Sequence, residues 1–573
     1  MLKFLFPFIF LGEMSEPESS TGYRERQPVF AQKMMVATAN PHATEAALQI
    51  LEEGGSSIDA LITAQAVLNV VEPQSSGIGG GAFLLYFDKK DERVVFFDGR
   101  ETAPILADEN LFLTNGIFPP HDELINGGRS VGVPGVLRML ELAHQKKGRL
   151  PWKKLFARAI DLAEKGFPLS PRLHQLIATT PGLNNFEEAQ KLFFESDGTT
   201  PKPTGSLLKN PSLAATLRLI ADEGSSPFYE GALAYKIVEA VQHSEVNPGL
   251  LSLSDLANYR PLICSPLFFN YRSYTIVTAP PPSSGGITLA QILGICETQN
   301  FAHLSLGSPQ FIDLFCQASR LAYADRNMYI ADPAFFPTPV PALISKSYLN
   351  SRSKLLGTKY AFGNVEAGEW PKSWMAKPQN CCTEGESPEF PSTTHISIID
   401  SEGNAVSMTS SIENAFGSKV MAAGFFLNNQ LTDFAINPEK EGKKVANRVQ
   451  GGKRPLSSMT PTLVFDRDGG LFLTVGSAGG SLIIEYVAEV LFGVLDFKMN
   501  IQEAISFPHY ASLLKPIELE EDTFIVETRK ELEALDNDVE ITSMNSGSVG
   551  IEVTQKNLIG GVDPRREGLA SGI

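Results

Sequence analysis

Residues 391–412 read PSTTHISIIDSEGNAVSMTSSI, and the fold is decided by how this stretch is read. A proline-bearing loop ends at Ser392, and an alternating strand pattern starts behind it. His395 to Asp400 alternates, Ser401-Glu402-Gly403-Asn404 supplies turn residues, and Ala405 to Ile412 alternates again. Two such runs about a short polar turn predict a β-hairpin. At its head stands a hydroxyl, Thr393. A side-chain hydroxyl is a poor nucleophile at neutral pH, whereas an α-amine with a pKa near ~7.7–8.0 can take its proton. Were the chain cut between Ser392 and Thr393, one residue would hold the attacking oxygen and its base together. Taken alone, threonines opening a strand equally express plain β-propensity.

The surroundings sharpen the reading. Upstream, Lys377 to Ser392 contains Pro378, Pro388 and Pro391 and little periodicity, which predicts an exposed, mobile connector. Downstream, Thr462 to Phe465 and Leu471 to Val475 form a second hairpin about Asp466 to Gly470. Gly476-Ser477-Ala478-Gly479-Gly480 follows, ahead of a helical pair over Leu482 to Asp496. Consecutive glycines before a helix N-terminus let backbone N–H groups point into a cavity, as an oxyanion hole requires. A tight strand-to-helix turn is the plainer alternative. A second cluster, Gly77 to Gly81, lacks both a G-K-[ST] ending and dinucleotide spacing, and predicts a close-packed turn.

Towards the N-terminus, Thr44 to Glu53 and Ile58 to Val71 carry apolar residues at helical spacing, and FLLYF and VVFF read as strands. From about 150 to 330 the pattern is mainly helical, interrupted by the irregular stretch Ala279 to Gly286. Residues 14–32 are polar and read as a tail or spacer. Ahead of them, MLKFLFPFIFLG has an apolar run too short to span a bilayer. It resembles a short export signal, so the expected location is periplasmic or secreted.

Composition excludes several classes. A chain of 573 residues exceeds a single compact core, and 43% hydrophobic with 20% charged residues is globular. A net charge of −17 without a basic run excludes a nucleic-acid partner. The five cysteines are Cys264, Cys296, Cys316, Cys381 and Cys382. Only the last two are close, and a vicinal pair bridges with strain, so unpaired thiols rather than a disulfide framework are expected. No H-E-x-x-H or other metal-ligand spacing is present, so neither metal nor cofactor is expected, and a metal peptidase is disfavoured.

With these residues quoted, the chain resembles the gamma-glutamyltransferases, also called gamma-glutamyltranspeptidases or glutathione hydrolases. The matching stretches are EPQSSGIGGGAF (Glu72 to Phe83), DGRETAP (Asp98 to Pro104), SVGVPG (Ser130 to Gly135), PPPSSGG (Pro280 to Gly286), YADR (Tyr323 to Arg326), TTH (Thr393 to His395), NNQLTDF (Asn428 to Phe434), KRPLSSM (Lys453 to Met459), GSAGG (Gly476 to Gly480) and DPRR (Asp563 to Arg566). The resemblance implies an α+β fold, a four-layer αββα N-terminal-nucleophile hydrolase sandwich. It implies a precursor that cuts itself between Ser392 and Thr393, into a large subunit (33–392, behind a segment 1–32) and a small one (393–573). Thr393 would attack glutathione or another γ-glutamyl compound and pass the acyl group to water or to an amino acid or dipeptide amine.

The same resemblance assigns roles. Arg100 corresponds to the clamp on the substrate α-carboxylate, shared with Ser457 and Ser458. Gln430 and Asp433 correspond to the grip on the α-amine, and Gly479 and Gly480 to the oxyanion pair. Ser411 stands where the family has a second threonine, which keeps the hydroxyl and drops the rotamer-fixing methyl. Glu413 stands where many members have asparagine and adds an acceptor for the substrate ammonium. Ala435 to Gly452 replaces a lid that in many members carries a tyrosine; having no aromatic residue, it is expected to leave the pocket open to larger γ-glutamyl donors. The competing readings are an amidase for another acyl group, such as the cephalosporin acylases, and a non-catalytic protein that never matures.

Overall fold

In the computed structural model, the strand Ser392–Ile399 pairs antiparallel with Ala405–Glu413, with His395 opposite Thr409 and Ile399 opposite Ala405. The residues described are 23–114, 117–119, 121–301, 303–358, 365–370, 381–385, 387, 389, 392–514 and 516–573. This hairpin is the centre of a seven-stranded sheet. On one side lie Met35–Thr38 and Leu569–Gly572, on the other Gly81–Asp88, Arg93–Gly99 and Leu262–Cys264. A second seven-stranded sheet runs Val29–Ala31, Leu558–Val562, Val549–Val553, Leu471–Gly476, Thr462–Phe465, Tyr274–Thr278 and Leu267–Tyr271.

Strand period places the two faces. Ile396 and Ile398 join Val36, Leu84, Val406 and Met408 in a core under the helices Pro41–Glu52 and Ser57–Val71. Residues of opposite parity face the other sheet: Ser397 Oγ lies 3.3 Å from Thr474 Oγ1, and Met35, Ala37, Phe83 and Leu85 pack with Val464, Leu473 and Val475. The helices Gly285–Glu297, Pro309–Tyr329 and Ile483–Leu491 cover the far face. The result is the four-layer αββα sandwich. Both sheets mix strands from before and after position 392, so severing that bond leaves each part hydrogen-bonded to the other.

Several expectations need correction. Residues 14–32 are not a tail throughout, since Val29–Ala31 is an edge strand paired with Leu558–Gly560. The region read as mainly helical holds three strands between Leu262 and Thr278. They are short and lie between helices, so the change of period is brief. Gly285 and Gly286 open a helix; a Cβ on Gly286 would lie 2.3 Å from Ala279 O, which is why glycine is needed there. Leu482 to Asp496 is one run, an α-helix passing into a π-helical turn, not a helical pair. The connector is not exposed throughout, because Cys382, Ser387 and the Glu389 side chain are buried. Cys382 is disulfide-bonded, against the expectation of unpaired thiols, while Cys264, Cys296 and Cys316 are free. Among the described residues no helix is long and apolar enough to cross a membrane. The first 22 residues, with the apolar run Phe4 to Leu11, lie outside the described residues.

Candidate active site

Thr393 sits at the head of its strand, where the register slips: Ser392 faces Glu413 while Thr393 faces Ser411. The extra residue is a β-bulge opposite the Ser392–Thr393 bond, and Glu413 adopts φ +80° beside it. A left-handed glutamate stores strain on the order of 1–3 kcal/mol, so the backbone here is over-determined by its surroundings.

Ser411 organises the bond. Thr393 Oγ1 donates to Ser411 Oγ at 3.1 Å, and Ser411 Oγ donates to Ser392 O at 3.0 Å. Glu413 N donates to the same hydroxyl at 2.8 Å. One hydroxyl has one proton and two lone pairs, so these three contacts saturate it and fix every direction. The nucleophile is thereby joined to the carbonyl it would attack. Ser392 Oγ is anchored on Gln74 O at 2.6 Å, and Arg566 donates to Thr393 O at 3.0 Å. The glycine cluster Gly77 to Gly81 is the close-packed turn expected: a Cβ on Gly80 would come within 2.2 Å of Ser411 O.

The second glycine turn lies between the strand Leu471–Gly476 and the helix Ile483–Leu491. Gly479 and Gly480 have φ of +127° and +58°, which L side chains adopt poorly. Asn545 bridges this turn to Thr393. Its carbonyl lies 3.8 Å from where a Gly479 Cβ would be, and its amide oxygen accepts from Arg566, the residue that holds Thr393 O. Ser477 is tied to Ser548, whose N–H donates to Asp563. The adjacent His395 is fully buried and keeps its ring neutral, its pKa pushed down to about 3 by burial.

A buried cluster of charged groups lies close by, linked to the bulge through Glu413 and Asn429. The Arg100 guanidinium is wholly buried and hydrogen-bonds Asp433; it also donates to Pro455 O at 3.2 Å and Leu456 O at 2.5 Å. Burial works against its charge, but Asp433, Glu101 and Glu389, in their ionised forms, more than offset this and keep it cationic. Asp433 is pushed up to about 7 by burial, with the Glu389 charge adding to the effect and Arg100 opposing it. Gln430 donates to Asp433 at 2.7 Å. Arg100 Nη1, Gln430 Oε1, Asp433 Oδ1 and both Glu101 oxygens lack hydrogen-bond partners among the described residues, although Arg100 Nη1 and Glu101 Oε2 form an ion pair at 3.7 Å. Buried polar atoms of both signs without hydrogen-bond partners make this cluster the candidate site for a zwitterion.

The remaining expected residues line up around this pocket. Glu413 accepts from Asn429, next to Gln430. Ser457 O accepts from Ser284 N at 2.7 Å, which fixes the serine pair against the Gly285–Glu297 helix. Ser458 meets two residues to which the sequence assigned no role. Its N–H and hydroxyl donate to Glu389 at 2.6 and 2.8 Å, and Arg326 reaches both Ser458 Oγ and Glu389. Arg326 lies in YADR, a matching stretch, and that was the only available signal; Glu389 lies in the connector and had none. Asn447, inside the segment replacing the lid, bonds Asp433 O at 2.8 Å and Leu456 N at 3.1 Å and so holds the two walls together.

With that geometry in place, comparison with known proteins decides the family. The gamma-glutamyltranspeptidase profile matches residues 43–573. The chain belongs to the gamma-glutamyltranspeptidase family. It is 37% identical to the glutathione hydrolase proenzyme of Bacillus subtilis (strain 168) over 478 residues, 83% of this chain and 80% of that one. It is 33% identical to the glutathione hydrolase proenzyme of Escherichia coli (strain K12), covering 96% of this chain and 93% of the other. In three dimensions it is similar to a cephalosporin acylase from Bacillus halodurans, with a TM-score of 0.84 at 26% identity over 98% and 99% of the two chains. Family membership and the shared sandwich agree with the layer order and with Thr393 at the head of a central strand.

Proposed function

We propose that this chain is a gamma-glutamyltransferase and glutathione hydrolase, made as a proenzyme that cuts itself before Thr393. The observation that carries the acyl specificity is the buried opposition of Arg100 and Asp433, a cation and an anion that a γ-glutamyl group's α-carboxylate and α-ammonium would separate and satisfy. A carboxylate is matched by a planar guanidinium.

Maturation starts from the hydroxyl relay. Thr393 Oγ1 adds to the Ser392 carbonyl carbon, which Ser411 polarises; the C–N bond breaks as the hydroxyl proton passes to the departing Thr393 nitrogen, leaving an ester on Oγ1 and a free amine on Thr393. Water hydrolyses the ester, Ser392 ends as a carboxylate, and Thr393 becomes a chain terminus. In turnover the same oxygen adds to the γ-amide carbonyl while the new α-amine takes its proton. The Gly479 and Gly480 N–H groups serve the oxyanion. The proton passes to the departing amine, and water or an amino acid or dipeptide amine releases the acyl group from Thr393. The segment Ala435 to Gly452, without an aromatic residue, leaves room for γ-glutamyl donors larger than glutathione. Export by the apolar segment Phe4 to Leu11 to a periplasmic or extracellular site completes the proposal; cell fractionation tests it.

The resemblance to an acylase supports one alternative, hydrolysis of a dicarboxylic acyl amide such as a glutaryl amide. Asp433 discriminates, because a glutaryl group offers it no ammonium. The decisive experiment combines N-terminal sequencing of the smaller fragment with p-nitroaniline release from γ-glutamyl- and glutaryl-p-nitroanilide. A fragment beginning at Thr393 and preference for γ-glutamyl support the reading; an uncut active chain or glutaryl preference refutes it.

A further inference from the structure

Glu389 precedes the scissile bond by only three residues, yet its carboxylate is not in solvent. The side chain is 7% exposed and Arg326 is 3% exposed. One oxygen accepts from Ser458 N at 2.6 Å; the other accepts from Ser458 Oγ at 2.8 Å and from the Arg326 guanidinium. Arg326 is itself fixed, its Nε donating to Ser284 Oγ at 2.9 Å, its Nη1 to Asn327 Oδ1 at 2.9 Å and its Nη2 to Ser458 Oγ at 3.1 Å. The Glu389 charge also acts on both Arg100 and Asp433.

A backbone N–H, a hydroxyl and a guanidinium converging on one carboxylate form a complete anion seat. Arg100 cannot supply such a seat alone, since its Nε and Nη2 are already taken by Pro455 O, Leu456 O and Asp433, leaving only Nη1, which is ion-paired with Glu101 at 3.7 Å. Resting on the γ-glutamyl reading above, we propose that Arg326, with Ser458, is a specificity-determining partner of the donor's α-carboxylate, and that Glu389 occupies this seat as an internal stand-in while the chain is uncut. Cutting after Ser392 gives the Glu389 segment a free end, and the seat then passes to substrate.

Two arms test this. In the uncut Thr393→Ala protein, L-glutamate is titrated calorimetrically with and without Glu389→Gln, with Glu389→Ala as a second vacating change. Vacating the seat raises L-glutamate affinity at least ten-fold and leaves the affinity for its α-amide, isoglutamine, unchanged. Equal affinity, or no binding in either protein, overturns the proposal, as does an equal gain for isoglutamine. In the cut enzyme, Arg326→Gln raises KM for γ-glutamyl-p-nitroanilide at least ten-fold with kcat within about three-fold, and Arg326→Lys recovers part of the loss. A fall in kcat at unchanged KM overturns it. Should the cut wild type release no p-nitroaniline from any γ-glutamyl donor, the functional reading fails instead, and the calorimetric arm still decides who fills the seat.

Discussion

Asp433→Asn isolates the charge that distinguishes an amino-acid acyl group. Asparagine has nearly the same shape, so no cavity opens and the bonds from Gln430 and Arg100 can be kept through its remaining oxygen. What disappears is the negative charge at Oδ1, the oxygen left without a partner in the uncut chain. A hydrogen bond to a charged group contributes about 1.5–3 kcal/mol, and neutralising one partner of a buried pair costs about 2–5 kcal/mol. Asp433 is 1% exposed, so solvent screening does not reduce these figures. Taking about 2–4 kcal/mol, kcat/KM for γ-glutamyl-p-nitroanilide should fall by roughly 30- to 900-fold. Glutaryl-p-nitroanilide keeps the distal carboxylate and lacks the amine, so its kcat/KM should hold or rise. Maturation should proceed normally, because Asp433 touches none of Ser392, Thr393 or Ser411. A loss below three-fold, or equal losses on both donors, would refute the assignment.

Other changes probe the remaining parts. Ser411→Ala leaves the buried Glu413 N–H without its acceptor and the Ser392 carbonyl without its donor. That is about 2–3 kcal/mol, so self-cutting followed on denaturing gels should slow roughly 30- to 150-fold, while Ser411→Thr should cut at least as fast as the parent. Gly80→Ala drives a methyl to within 2.2 Å of Ser411 O; the strand must shift, and both the melting temperature and the rate of cutting should fall. Burial raises the Glu101 carboxyl to about 8, so the folded chain keeps a proton that the unfolded chain gives up at ordinary carboxylate pH. A raised acid weakens the fold as pH climbs through that window. The melting-temperature advantage of Glu101→Gln over the parent should therefore grow from pH 5 to 8.5, by on the order of a few kcal/mol of stability; a constant difference refutes the shift.

Local chemistry makes much of this molecule legible in its sequence. The hairpin about Ser401 to Asn404 and the glycine turn before Ile483 depend on residues within a few positions of one another, and period or composition reveals them. The zwitterion pocket is different in kind. Arg100 meets Asp433 across 333 positions, and Arg326 meets Ser458 across 132. No periodicity links such residues, and only the family's motifs made some of them candidates. Glu389 could not be found even that way, because its segment has the composition of solvated loop. Its burial is a tertiary effect: a carboxylate finds a guanidinium and a free N–H, and that outweighs the local preference for solvent.

The uncut chain is silent for two independent reasons, and a single chemical event removes both. Thr393 has an amide nitrogen in place of a basic amine, so its hydroxyl has no proton acceptor of its own. The charges are also paired among themselves, Arg100 with Asp433 and Glu101 and Arg326 with Glu389. Such mutual pairing explains how a buried set of charges survives folding without substrate, since an uncompensated buried ion would cost several kcal/mol. Breaking the Ser392–Thr393 bond creates the amine and detaches the Glu389 segment from the strand that anchors it. The strained bulge at Glu413 lies opposite that bond. A change that frees the pocket without cutting, such as Glu389→Gln in the Thr393→Ala chain, therefore restores binding alone; chemistry returns only with the amine.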